Sequence, residues 1–169
     1  MKKLIIALAT IMVTAVAYGQ GTVQLNNRIT GTVDARVLLP DGSGAGAGYT
    51  AQLWGGASAG SLAGLSPTTT FRTSSAAAQG YVNAIEVSVP GVGVGGTASL
   101  QLRAFDGADF GSSLTKGSSD TISVVLGGGN LPPAALAGLS GFTLTAVPEP
   151  STIALGVLGL AALMVRRRK

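Results

Sequence analysis

Between Gly21 and Ala146 the chain alternates apolar and polar residues in short runs broken by glycine. Val23 and Leu25 alternate with Thr22, Gln24 and Asn26, and Val33, Ala35, Val37 and Leu39 alternate with Thr32, Asp34, Arg36 and Leu38. The same pattern runs through Tyr49–Trp54, Ala84–Val89 and Ala98–Phe105, and shorter apolar runs cover Thr68–Thr73, Thr121–Leu126 and Phe142–Ala146. A period of two places successive side chains on opposite faces, so each run predicts a half-buried strand, about eight in all. Gly91–Gly96 and Gly127–Asn130 separate them as turns. Parallel strands need long crossovers, usually helical, and only Ala134–Leu139 offers a helical turn. The expected body is therefore all-β, an antiparallel β-sandwich of the immunoglobulin-like or a related type over residues 20–146.

The two ends follow a different pattern. Residues 1–19, MKKLIIALATIMVTAVAYG, combine Lys2-Lys3, an apolar stretch and small residues, the three parts of a secretory signal peptide. Cleavage after Ala15-Val16-Ala17 or after Ala17-Tyr18-Gly19 fits a small-residue site, and the second is preferred because it leaves a polar Gln20-Gly21 start. At the other end, Thr152–Val165 is a run of fourteen residues, apolar apart from Thr152. As a helix at ~1.5 Å per residue it spans about 21 Å, short of a hydrocarbon core of ~30 Å. It has no polar face, and Arg166, Arg167, Arg168 and Lys169 follow it, with stems long enough to snorkel to the interface. A short transmembrane helix is expected. Both basic clusters should stay cytoplasmic, which places the intervening body across the inner membrane.

Pro148-Glu149-Pro150 precedes that helix. Prolines hold the residues before them extended, and Ser151 is a natural helix N-cap, so an exposed, extended segment is expected just outside the bilayer. The sequence VPEPST, the short apolar helix and the Arg-rich end together resemble a PEP-CTERM sorting signal, over about 22 residues (148–169) within a tail region 147–169. The resemblance implies recognition and tail removal by an exosortase, a membrane-embedded transpeptidase-like enzyme. It also implies a surface or extracellular matrix protein of a Gram-negative, exopolysaccharide-making bacterium. Tails of this kind accompany unrelated bodies, so no activity passes to residues 20–146.

Composition narrows the body's chemistry. The formal charge of +4 belongs to the ends. Between them five cations (Arg28, Arg36, Arg72, Arg103, Lys116) face six anions (Asp34, Asp41, Glu86, Asp106, Asp109, Asp120), which offers no footprint for nucleic acid. The chain has no histidine and no cysteine, which removes the usual general base, thiol nucleophiles and thiolate metal sites. No catalytic, cofactor or metal residues are therefore assigned. Asp106 and Asp109 could offer two carboxylates to calcium, but that ion takes about six to eight oxygens, and a solvated turn is expected. A glycosidase pair among Asp34, Glu86, Asp106 and Asp109 is not singled out by context; Asp34 and Glu86 are expected to pair with neighbours such as Arg36 and Arg103. Gly44-Ala-Gly-Ala-Gly48, after a Leu39-Pro-Asp-Gly turn, reads as a flexible loop despite its likeness to silk. Trp54 lies on the polar face of its strand, leaving two readings: burial in the fold, or contact with exopolysaccharide.

Overall fold

The computed structural model describes residues 19–147, together with Gly156 and Leu158, both in helical backbone. The signal segment before Gly19, Pro148-Glu149-Pro150, the rest of Thr152–Val165 and Arg166–Lys169 lie outside the described residues. Among the described residues no helix is long and apolar enough to cross a membrane.

Those residues form thirteen strands: β1 (Gln20–Leu25), β2 (Arg28–Ile29), β3 (Val33–Asp34), β4 (Val37–Leu38), β5 (Thr50–Gly56), β6 (Ala63–Gly64), β7 (Thr69–Thr70), β8 (Ile85–Gly93), β9 (Thr97–Phe105), β10 (Thr115–Ser118), β11 (Ile122–Val125), β12 (Phe142–Thr143) and β13 (Thr145–Ala146). The fold is all-β, and every strand pair but one is antiparallel. The largest sheet is organised around β9, which pairs with β5 from Thr50↔Phe105 to Gly56↔Ser99. Along its other edge β10 takes Arg103–Phe105 and β11 takes Thr97–Leu100, so β10 and β11 lie end to end. Ser119 closes the gap between them: its amide donates to Leu102 O (2.9 Å) and its hydroxyl accepts from the Leu102 amide (3.0 Å). The outer edge of β5 is shared by β7 and β6, and β13 flanks β10. These outermost strands are two residues long, too short to template pairing with another chain.

A separate ribbon of β1 and β8 packs against β5 and β9. Val23 and Leu25 of β1, Val87 and Val89 of β8, Ala51 and Leu53 of β5, and Leu100 and Leu102 of β9 belong to one buried apolar cluster. These are the positions that the alternation assigns to the inner face. At ~25 cal/mol per Å² of apolar surface removed from water, this shared interior is the main force joining the ribbon to the sheet.

Four local expectations change. The predicted strand Val33–Leu39 keeps its alternation, but its backbone partners change along its length. β3 pairs with β2, the Ala35 amide donates to Asn27 O (2.9 Å), the Val37 amide to Gly80 O (3.0 Å), and β4 lies parallel to β12. β10 has no alternating apolar residues to announce it, because Thr115–Gly117 are only half-buried at the sheet margin. Ala134–Leu139 is not helical: Ala134 bridges Val23, and the Leu139 amide closes a turn onto Leu136 O (3.1 Å). The Gly44–Gly48 segment is packed at its first half. Ala45 is fully buried, its amide donates to Val37 O (3.0 Å) and its carbonyl accepts from the Gly80 amide (2.8 Å). A Cβ on Gly44 would collide with the Gln79 carbonyl, which explains a glycine there without any silk-like stacking.

Candidate functional site

Trp54 projects from β5 on the outer face of the large sheet, where it is half-buried. The register sets Trp54 opposite Gln101 and Gln52 opposite Arg103. The diagonal between them brings the Arg103 guanidinium over the indole, 3.8 Å from its centroid. Phe110, from the loop after β9, also approaches that cation, at 4.7 Å, and its ring lies 6.5 Å from Trp54, tilted by 60°. Phe105 meets Phe110 edge-on at 6.1 Å and is thereby buried, although its place in the alternation points it outward. Trp54 thus belongs to a small aromatic cluster outside the main core.

Glutamines hold the polar atoms of this face. Trp54 Nε1 donates to Gln52 Oε1 (3.2 Å), and Gln52 Nε2 donates to Leu65 O (3.2 Å). Arg103 Nε donates to Gln101 Oε1 (2.8 Å), and Gln101 Nε2 donates to Ser119 O (2.9 Å). Burial pushes the pKa of Arg103 down from its ordinary value, though a guanidinium stays cationic at neutral pH. Lys116 Nζ donates to the carbonyls of Phe110 (2.9 Å) and Gly111 (2.7 Å), fixing the loop that carries Phe110.

Asp106 and Asp109 are both engaged by their own loop. Asp109 Oδ1 accepts from the amides of Gly111 (2.9 Å) and Ser112 (3.0 Å), and Oδ2 accepts from the Ser112 hydroxyl (2.7 Å). The Ser112 hydroxyl and then its amide hold the carboxyl below its usual range. For Asp106, burial pushes upward, but hydrogen bonds led by the Thr115 amide bring its pKa below the ordinary value. Among the described residues no group of three or more acidic side chains is gathered to hold a metal ion.

The expected ion pairs are replaced by other contacts. Asp34 accepts from the Tyr81 hydroxyl (2.6 Å) and stands opposite Arg28, whose guanidinium lies 4.7 Å from the Tyr81 ring. Arg36 donates to the carbonyls of Gln79 (2.9 Å) and Ala76 (2.8 Å). Glu86 faces Gln24, and Arg103 is taken by Trp54 and Gln101. Sequence neighbours lie on one strand, whereas pairing is decided across strands. The four carboxylates considered for glycoside cleavage are thus spread over β3, β8 and the β9–β10 loop. An open depression of ≈ 410 Å³ is lined by Arg28–Asp34 alone, a single hairpin whose Arg28 and Asp34 are already engaged with Tyr81.

Phe110 carries no role in the alternating pattern. The one available signal was an isolated aromatic in a loop otherwise made of Gly, Ala, Asp, Ser and a single Leu, in a chain only 5% aromatic.

The C-terminal boundary of the body is set by hydrogen bonds. β13 pairs Ala146 with Thr115, and the Val147 amide donates to Leu114 O (2.6 Å). Pro148, which has no amide hydrogen, comes next. Residues 146–169 match the PEP-CTERM protein-sorting motif. The match begins on the last residue of β13, so it covers the tail and not the body. No curated protein and no solved structure matches the chain. A PEP-CTERM motif implies an exported protein that an exosortase recognises and sorts at the membrane.

Proposed function

We propose that this is a non-catalytic cell-surface or extracellular matrix protein, exported behind a cleaved signal peptide and trimmed at its PEP-CTERM tail. The observation that carries the reading is the position of the motif directly after the last paired strand. Removal of the tail beyond Val147 would leave every strand of the body in place. In this reading Pro148, Glu149 and Pro150 are the sorting determinants, and Thr152–Val165 holds the intermediate in the inner membrane. Arg166, Arg167, Arg168 and Lys169 keep the end cytoplasmic. The body is taken as a β-sandwich, supported by one apolar cluster shared between the β1–β8 ribbon and the large sheet. A non-catalytic role is supported by the chain's lack of histidine and cysteine and by hydrogen bonds that engage Asp34, Asp41, Asp106 and Asp109.

Intact-mass measurement on protein from the native cell surface tests this reading. The expected mass lacks both the signal peptide and the residues after the Pro148–Pro150 region. A surface form that retains Arg166–Lys169 would sink the processing claim.

The half-buried Trp54, grouped with Phe110, favours a second reading, in which the body also binds exopolysaccharide. Loss of polysaccharide retention in Trp54→Ala, with the fold intact, is its test.

A further inference from the structure

We propose that the Trp54–Arg103–Phe110 patch is a binding site for a carboxylate-bearing sugar, with Arg103 as the carboxylate partner and the two aromatic rings as its apolar floor. This deepens, and rests on, the polysaccharide-binding reading above. The carrying observation is the way the guanidinium is held. Its Nε is used by Gln101, which is itself tied to Ser119 O. The guanidinium also lies against two rings, Trp54 at 3.8 Å and Phe110 at 4.7 Å. Among the described residues neither Nη nitrogen has a hydrogen-bond partner, and neither is an orphaned buried atom; the one such side-chain atom there is Thr22 Oγ1. Each Nη nitrogen therefore keeps some access to solvent, on a cation whose orientation is already set.

A guanidinium edge matches a carboxylate through two parallel N–H···O bonds, which a lysine cannot reproduce. Orientation fixed in advance reduces the entropy lost on binding. Asp106 and Asp109 stay ionised nearby, but their hydrogen bonds run to Thr115, Ser112 and Gly111 and not to Arg103. Lys116 brings a second positive charge, partly offset by Asp109, 5.4 Å from the Phe110 ring. The partial burial of Arg103 strengthens its attraction for an anion that covers it. Trp54 and Phe110 each keep part of their ring in solvent beside the cation, where the C–H face of a pyranose can pack. Together these features select an acidic sugar over a neutral one.

The test uses the detergent-solubilised full chain and four probes: polygalacturonate, its fully methyl-esterified form, alginate and polyglutamate. We expect binding to at least one acidic polysaccharide. Methyl esterification, which keeps the sugar and removes the charge, should weaken polygalacturonate binding about ten- to a hundredfold, the loss of one charged hydrogen-bonded pair. Arg103→Lys and Arg103→Gln should cost a similar factor, and Trp54→Ala should weaken acidic polysaccharide binding but leave circular dichroism unchanged. Equal binding of the esterified polymer, or undiminished binding by Arg103→Lys, overturns the carboxylate assignment and leaves polysaccharide binding standing. Polyglutamate binding as tightly as the acidic polysaccharides overturns the sugar assignment. No binding to any of the three polysaccharides ends both readings. If Arg103→Gln fails to fold, Arg103→Lys, which preserves the cation on the rings, decides the matter.

Discussion

Asn27 is fully buried and joins three segments that are distant in sequence. Its Nδ2 donates to the carbonyls of Ala35 (2.7 Å) and Gly80 (2.9 Å), and its Oδ1 accepts from the Val82 amide (2.8 Å). Removing it strands buried backbone groups, each costing about 1–3 kcal/mol. Asn27→Ala should therefore lose roughly 3 kcal/mol or more in urea denaturation, and a loss under about 1 kcal/mol would contradict this account. Tyr81 sits on the same segment. Its hydrogen bond to Asp34, followed by burial, raises the pKa of its phenol above the usual 10.0. The stability that follows from this is fully present below the unfolded pKa and is lost as pH rises through the higher folded value. Thermal melts from about pH 9 to 12 should show the wild type falling more steeply than Tyr81→Phe, whose residue 81 cannot ionise. Parallel curves for the two proteins would remove Tyr81 as the cause.

The C-terminal elements decide how much of the chain the body needs. β12 and β13 are two residues each, yet Leu144 between them is fully buried, and the Leu144 amide donates to Leu38 O (2.8 Å). Leu144→Ala should cost about 2–5 kcal/mol, the range for a buried leucine whose site does not collapse. A chain ending at Val147 should melt like the full-length protein, whereas one ending at Gly141 should unfold at clearly lower temperature in the same scan. If the two truncations melt alike, the C-terminal strands are dispensable and the body ends earlier than the pairing implies. The β9–β10 loop shows the same logic on the outer face. It contributes Phe110, and the Asp109 turn and Lys116 hold that ring where Trp54 and Arg103 can use it.

For the whole molecule, the basic pI of 9.9 comes from the two ends of the chain. Once the Lys2-Lys3 and Arg166–Lys169 clusters are removed, the body's five cations face six anions. The surface form should focus at acidic pH and pass through DNA–cellulose at low salt, while the uncleaved chain focuses as a basic protein. A basic surface form would show that the tail is retained. On the proposed reading, precursor and product would differ in charge and in membrane attachment, and both differences would arise at the ends.

The sequence by itself determined which side chains turn inward. Val23, Leu25, Val87, Val89, Leu100 and Leu102 are buried as their alternation requires, because side-chain facing along a strand is a local property with a period of two. It also determined the sorting tail, which is a linear motif and needs no partner from elsewhere in the chain. Only the tertiary structure decided who pairs with whom. Arg103 lies on Trp54 instead of beside an acid, Asn27 reaches Gly80 and Val82, and β4 runs parallel to β12. Such contacts depend on register and loop path across many residues, which no local pattern encodes. The assembly of the outer-face aromatic cluster around Trp54 was hidden for the same reason. Its members come from two strands and a loop, and although Trp54 stands out in the sequence, its partners do not until the sheet sets them side by side.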